Sequence, residues 1–160
     1  MKSASVHEIK QELSSRPPQE LVDLCLRLAK FKKENKELLT YLLYEANDEQ
    51  AFIESIKVEI DEAFAGINTT NYYFVKKSVR KILRLIKKYI RYSGKKETEV
   101  ELKLYFCQQL SSMKPSIKND QVLINIYQRE LMTLKKSLST LHEDLQFDYL
   151  EVVKKLEMFK

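Results

Sequence analysis

Residues that form turns are scarce in this sequence, which holds two glycines and three prolines in 160 positions. A β-sheet protein of this length needs more turn residues than that, so the composition predicts an all-α fold. Two glycines also exclude the glycine-rich loops that bind phosphates, among them the P-loop and the dinucleotide-binding fingerprint. A nucleophile elbow of the form GxSxG is excluded for the same reason.

Long apolar runs are absent as well. None approaches the ~20 residues that a membrane-spanning helix needs, so we expect no transmembrane segment. The first residues, MKSASVHEIKQEL, lack the apolar core of a signal peptide. The two cysteines, Cys25 and Cys107, form no CxxC pair and have no metal-like spacing, so a reduced, cytoplasmic setting is expected.

Side chains that carry catalysis or bind metals do not cluster in the sequence. His7 and His142 are far apart, and neither lies in an HExxH motif. The acidic segment Glu45–Glu62 lacks the Glu-x-x-His pattern of carboxylate-rich metal sites. Cys25 and Cys107 both fall in apolar stripes, so we expect both to be buried in the core. The sequence therefore predicts no enzyme activity, no cofactor and no metal site.

The overall composition is that of a globular protein. Apolar residues make up 44% of the chain and charged residues 32%, and we expect a single domain over residues 1–160. Helical periodicity predicts seven or eight helices joined by short loops, so consecutive helices should be antiparallel neighbours. Helix and loop lengths resemble those of right-handed HEAT- or armadillo-like stacks, and a compact bundle fits them too. No repeated consensus accompanies this resemblance, so it implies an architecture and no function.

Capping signals predict the helix boundaries near the start of the chain. Ser5-x-x-Glu8 is a capping box, in which serine and glutamate each bond a backbone N–H of the first turn. Pro18 suits the first turn of the next helix, where its missing N–H costs nothing. The polar segment Lys30–Glu37 predicts a break near Lys33–Asn35, with one long bent helix as the alternative.

Similar signals predict where the later helices begin and end. Gly66 is expected to end its helix in the left-handed conformation, and Ser93-Gly94 to end the following one. The residues expected to cap helix starts are Asn47 or Asp48, Asn119, and the second capping box Thr140-x-x-Glu143.

Positive charge is concentrated in one segment, Tyr72–Lys96. It carries ten basic residues, and no Asp or Glu occurs between Glu62 and Glu97. Because the whole chain has a net charge of +5, the rest of it sums to +5 − 10 = −5. One helix is predicted here, with its apolar residues on about a third of its circumference and therefore expected in the core. Those residues are Val75, Val79, Ile82, Leu83, Ile86, Tyr89 and Ile90.

The opposite face of this helix is the candidate binding surface. We expect a non-enzymatic interaction or scaffold module that presents this face to an acidic protein partner. Sequence-non-specific binding of nucleic acid through the same face is the alternative, because arginine forks match phosphate oxygens. Membrane-surface binding is disfavoured, since the apolar face is needed for the core. The candidate residues are Lys77, Arg80, Lys81, Arg84, Lys87, Lys88, Arg91 and Lys95.

Two features of the neighbouring sequence bear on that hypothesis. The preceding segment, Glu45–Glu62, holds seven acidic residues and one lysine, a net charge of −6. A short loop joins it to the basic helix, so the two should pack side by side, and part of the basic charge would then balance the acidic helix. Four tyrosines of the basic segment would be able to stack on bases if exposed. They are Tyr72, Tyr73, Tyr89 and Tyr92.

Overall fold

The computed structural model describes residues 1–159 and confirms the all-α fold. Over that range it contains eight α-helices and no strand. The choice between a HEAT- or armadillo-like stack and a compact bundle stays a prediction.

The chain divides into two compact units, Met1–Tyr44 and Glu45–Lys160. The two units differ in how many of their residues are buried: in Met1–Tyr44 only Tyr41 is buried, and the other buried residues of the described chain lie in the second unit. The expectation of a single domain over residues 1–160 stays a prediction.

The first unit contains helices α1 (Val6–Ser14), α2 (Pro18–Phe31) and α3 (Lys33–Thr40). The predicted capping box is present: Glu8 N donates to Ser5 Oγ at 3.3 Å, and Ser5 N donates to Glu8 Oε2 at 2.7 Å. An extended Lys32, with φ of −142°, separates α2 from α3, so the prediction of two helices is confirmed. A single π-helical turn, Tyr41–Glu45, follows α3.

The second unit is built around one central helix, α6, which packs against four other helices. Eight of the seventeen residues of α6 are buried, as its wide apolar face predicts. The second unit consists of α4 (Glu49–Ala65), α5 (Tyr72–Ser93), α6 (Lys96–Ser112), a 3₁₀ turn (Ile117–Asn119), α7 (Gln121–Leu138) and α8 (Glu143–Glu157).

The core of the second unit includes the predicted apolar third of α5. Five of its seven residues, Val75, Val79, Ile82, Leu83 and Ile86, are buried. The other two, Tyr89 and Ile90, are half-buried near the C-terminal end of the helix. Other helices of the second unit contribute further fully buried residues to the core, among them Ile60, Leu102, Phe106, Leu110, Leu123 and Leu134.

Gly66 does not adopt the predicted left-handed conformation, because its φ is −82°. Its N–H still donates to Glu62 O at 3.0 Å, and Ile67 N donates to Phe64 O at 3.2 Å. These bonds tighten the last turn of α4, so no left-handed residue is required. Gly94, with φ of +66°, is the left-handed residue that ends α5.

Asn119 does not cap α7, because it belongs to the 3₁₀ turn that precedes the helix. Asp120 is the N-cap instead, and its Oδ1 accepts bonds from Val122 N and Leu123 N at 3.0 and 3.1 Å. Of the two residues expected to cap α4, Asn47 and Asp48, the structure confirms Asp48. Its Oδ1 accepts a bond from Ala51 N at 3.0 Å.

The second capping box, Thr140-x-x-Glu143, does not form. The hydroxyl of Thr140 donates to Ser137 O at 2.6 Å and is therefore used to close the last turn of α7. Helix α8 begins three residues later, at Glu143, and His142 is its N-cap.

A polar cluster between α6 and α7 is centred on Glu99. Its Oε1 accepts bonds from Lys103 Nζ and Ser137 Oγ, each at 2.7 Å, and its Oε2 accepts one from Lys96 Nζ at 2.9 Å. Burial by itself raises the pKa of Glu99. The bonds from Lys103, Lys96 and Ser137 outweigh it and lower the pKa from 4.5 to about 2. The carboxylate form of Glu99 is therefore favoured by folding.

Acid should remove this stabilisation in a defined pH window. The pKa of Glu99 is lower in the folded protein, so its contribution is complete above about pH 5 and is lost as the pH falls towards 2. We expect Glu99→Gln to be less stable than the wild type at pH 7 and to lose less stability between pH 5 and 2. Urea denaturation at several pH values across that range measures the free energy of unfolding of each protein. An exposed residue of α8 supplies the control, Glu151→Gln, and equal acid losses in all three proteins would contradict the assignment.

Candidate functional site

Helix α5 carries seven of the eight candidate residues, with Lys95 just beyond its end, and local sequence fixes both ends of the helix. Asn71 Oδ1 accepts a bond from Phe74 N at 3.2 Å at the start, and the left-handed Gly94 follows Ser93 at the end. The 22 residues between them form a rod about 33 Å long. Because one side of the rod is buried, the basic residues at the intervening positions face outward.

Five of these residues are exposed on one side of α5 and are here called the basic strip. At about 100° per residue they occupy an arc of roughly 100°, and they extend over ~21 Å of the helix axis. All five are exposed, and none forms an ion pair with any of residues 1–159. The basic strip consists of Lys77, Arg80, Lys81, Arg84 and Arg91.

The other three candidate residues have different surroundings. Lys87 Nζ lies 3.0 Å from Glu130 Oε1 on α7, and Lys95 Nζ lies 2.8 Å from Glu49 Oε2 on α4. Lys88 is half-buried, with its Nζ 4.8 Å from the centre of the Tyr89 ring. The exposed surface without ion pairs therefore comprises five of the eight candidate residues. The other three contact neighbouring parts of the fold.

The acidic helix α4 packs beside α5 as predicted, but it does not neutralise the basic strip. Its carboxylates bond largely to hydroxyl groups: Glu59 Oε2 accepts from Tyr89, and Asp61 accepts from Tyr105, both at 2.7 Å. The Tyr89 position marks the side of α5 that faces α4. That side lies about 130° around the helix from the middle of the strip. Of the candidate residues, Lys95 pairs with α4 through Glu49.

One aromatic side chain extends the basic strip towards the N-terminus. Tyr73 is 66% exposed and lies one helical turn before Lys77, on the same arc. Its ring meets the ring of Phe74 edge to face, with centroids 5.4 Å apart. Two of the other tyrosines are occupied, since Tyr72 donates to Ser116 O and Tyr89 donates to Glu59, each at 2.7 Å.

Glu130 is the ion-pair partner of the candidate residue Lys87, and the sequence analysis did not identify it. Its side chain is 1% exposed, and its Oε1 accepts from Lys87 Nζ at 3.0 Å and from Arg129 Nε at 3.4 Å. Within residues 1–159, its Oε2 has no hydrogen-bond partner. Glu130 follows Tyr127 by three residues and precedes Leu134 by four, so it lies in the apolar stripe of α7. A lone charge in such a stripe is the signal that would have identified it.

The two cysteines lie in opposite surroundings. Cys107 is buried as predicted, and burial, followed by the nearby Glu130 carboxylate, raises its pKa to about 12. Cys25 is exposed, so the prediction that it lies in the core is wrong. The apolar stripe of α2 to which it belongs is not covered, since no residue of α2 is buried.

Within residues 1–159, no group of three or more His, Cys, Asp or Glu side chains is placed to hold a metal ion. Over the same range, no helix combines the length and the apolar character needed to cross a membrane.

Comparisons of this chain with protein-family models, with curated proteins and with solved structures gave no match. No residue role can therefore be transferred from a relative.

The Lys87–Glu130 pair should contribute to stability, whereas the basic strip should not. We expect Lys87→Met to lower the free energy of unfolding by about 2 kcal/mol, because it leaves a buried carboxylate without its lysine. Arg84→Met, one turn away on the strip, should change it by less than about 0.5 kcal/mol. Urea denaturation measures both.

A double variant separates the pair from simple loss of a side chain. Adding Glu130→Leu to Lys87→Met should recover most of the lost stability, since no charge then remains buried. If Lys87→Met is as neutral as Arg84→Met, the assignment of Lys87 to the fold is wrong.

Thiol reactivity should distinguish the cysteines. In the native protein we expect one fast-reacting equivalent of Ellman's reagent, from Cys25, because Cys107 is buried and its pKa of about 12 leaves little thiolate. Denaturant should release the second. Cys25→Ser should abolish the fast phase, and a fast phase that survives this substitution would contradict the assignment.

Proposed function

We propose that this chain is a non-enzymatic interaction module whose basic strip binds the phosphate backbone of nucleic acid without sequence specificity. The observation that carries the proposal is the line of five exposed cations on α5 that no acidic group neutralises among residues 1–159. We further propose a cytoplasmic setting, with which the free thiols of Cys25 and Cys107 are in keeping.

The absence of ion pairs matters because a paired cation has to give up one anion before it takes another. Lys87 illustrates this, since drawing it towards a phosphate would leave Glu130 buried without its lysine. The residues of the basic strip exchange only water and counterions for phosphate, and the release of counterions from nucleic acid favours binding. The strip is therefore available for phosphate at little cost to the fold.

The dimensions of the basic strip suit a phosphate backbone. One strand of a duplex carries a phosphate every ~3.4 Å along the axis, so about six fall within the ~21 Å of the strip. Arg80, Arg84 and Arg91 each present a planar fork that can bond two phosphate oxygens. Base-specific readout is not proposed, since the sequence carries no helix-turn-helix, RRM or KH signature.

The chemical make-up of the basic strip favours nucleic acid over protein. The centres of protein interfaces are depleted of charge and enriched in apolar and aromatic residues. From Val75 to Ser93, every residue of α5 that is exposed is basic, and Tyr73 lies just before this stretch. Interfaces with nucleic acid are more polar and much more positively charged, which matches this surface.

An acidic protein partner is the second candidate. The observation that favours it is spacing, because Lys77 and Lys81 are four residues apart, as are Arg80 and Arg84. Carboxylates at the same spacing on a partner helix would face these cations in register. The exposed Tyr73 and Phe74 would then supply an apolar anchor at one end.

Salt dependence tests the proposal. We expect a fluorescently labelled 20-nucleotide single strand to bind with affinity that falls roughly 100-fold between 50 and 200 mM salt. Five phosphate contacts correspond to a slope of about −3.5 in log affinity against log salt. The double variant Arg84→Gln, Arg91→Gln should reduce the size of that slope by about 1.4, and fluorescence anisotropy measures each slope.

A matched control removes the same charge elsewhere. Lys136 and Lys155 are exposed on α7 and α8 and carry no ion pair with any residue from 1 to 159. The double variant Lys136→Gln, Lys155→Gln should leave the slope unchanged. An equal loss in both double variants, or no binding at 50 mM salt, would contradict the proposal. Tighter binding of a labelled poly-glutamate peptide of the same charge would favour the protein partner instead.

A further inference from the structure

We infer that the nucleic acid bound by the basic strip is single-stranded and that the ring of Tyr73 stacks on one of its bases. This inference rests on the proposed function and specifies its ligand. It starts from the exposed aromatic side chain at the N-terminal end of the strip. Tyr73 keeps 66% of its surface in contact with solvent, although a tyrosine gains free energy when it is buried.

The position of Tyr73 links it to the cations. It lies four residues before Lys77 and seven before Arg80, about 6 and 10 Å away along the helix axis. All three fall within the arc of the basic strip. A strand whose phosphates contact Arg80 and Lys77 reaches the ring of Tyr73 when it continues along the same arc towards the N-terminus. The edge-to-face contact with Phe74, at 5.4 Å, helps to hold that ring in place.

Tyr73 also has no competing role within residues 1–159. Its hydroxyl makes no hydrogen bond there, whereas Tyr72 and Tyr89 donate to Ser116 O and Glu59 Oε2. The three tyrosines share one helix, so the difference comes from position. Tyr72 and Tyr89 face Ser116 and Glu59, whereas Tyr73 lies on the same side of α5 as the basic strip.

A single strand is the form that can use this ring. In a duplex each base is already stacked between its neighbours, and moving one out of the stack costs a few kcal/mol. In a single strand the base faces are available, and stacking on an aromatic side chain is tolerant of sequence because every base has a π-face. The combination of a cationic track with one exposed ring is the recognition mode of proteins that bind single strands.

Paired binding measurements test the inference. The probes are a labelled 12-nucleotide single strand of mixed sequence and the duplex of the same sequence, compared by anisotropy at 50 mM salt. Tyr73→Ala should weaken single-strand binding about tenfold and change duplex binding less than twofold. The slope of affinity against salt should stay unchanged, since no phosphate contact is lost. Phe147, an aromatic of α8 that is 76% exposed, supplies the control Phe147→Ala, which should change neither.

A spectroscopic readout follows from the composition, because the chain contains no tryptophan. The Tyr73→Trp variant carries a single indole at the proposed stacking position. Its emission should be quenched when the single strand is added and should change little with the duplex. Binding by this variant should be at least as tight as in the wild type, since tryptophan offers a larger stacking surface.

The outcomes separate this inference from the proposed function. If Arg84→Gln, Arg91→Gln lowers the salt slope but Tyr73→Ala leaves single-strand affinity unchanged, the stacking inference is overturned and phosphate binding stands. Equal losses with single strand and duplex, or equal quenching by both, also overturn it. If neither probe binds in a salt-dependent manner, the proposed function fails first.

Discussion

The second unit depends on the packing of its helices against α6, and this packing buries one side of α5. Val75, Val79 and Ile86 are removed from water entirely, and they lie at helical spacing along the rod. Each fully buried aliphatic side chain of this size contributes about 1.5–3 kcal/mol, which no surface charge can match. The apolar side therefore fixes the rotation of the helix. The cations occupy what remains of the circumference, and their alignment in one strip follows from that choice.

Features that depend on nearby residues could be predicted from the sequence, whereas features that depend on tertiary contacts could not. The apolar third of α5 and the capping box at Ser5 were predictable because a few neighbouring residues decide each. The ion pair of Lys87 with Glu130 joins residues 43 positions apart, and no local rule identifies such a partner. The exposure of Cys25 was unpredictable for a similar reason, since a stripe at helical spacing does not say whether another helix covers it. The prediction of a left-handed Gly66 was wrong because the hydrogen bonds of the last turn, rather than the residue type, decided its conformation.

The structure separates cations that maintain the fold from cations that are free to bind. Lys76 and Lys87 reach acidic groups at 2.9 and 3.0 Å and tie α5 to its surroundings, and Lys95, just after the helix, pairs with Glu49 at 2.8 Å. Residues of the basic strip lie between these ties and contact water. Within one run of basic sequence, the position of each residue around the helix thus decides whether its side chain reaches an acidic group of the fold or solvent. Net charge alone, at +5, would not reveal this division.

The length of the basic strip has a kinetic consequence. A row of like charges creates a field that draws an oppositely charged polymer towards it before contact, which raises the rate of encounter. At about 0.1 M salt the screening length is ~10 Å, half of the ~21 Å between Lys77 and Arg91. The two ends of the row therefore act on a long polyanion almost independently. A polymer captured at one end can shift along the row without leaving it, exchanging one cation for the next while the others hold.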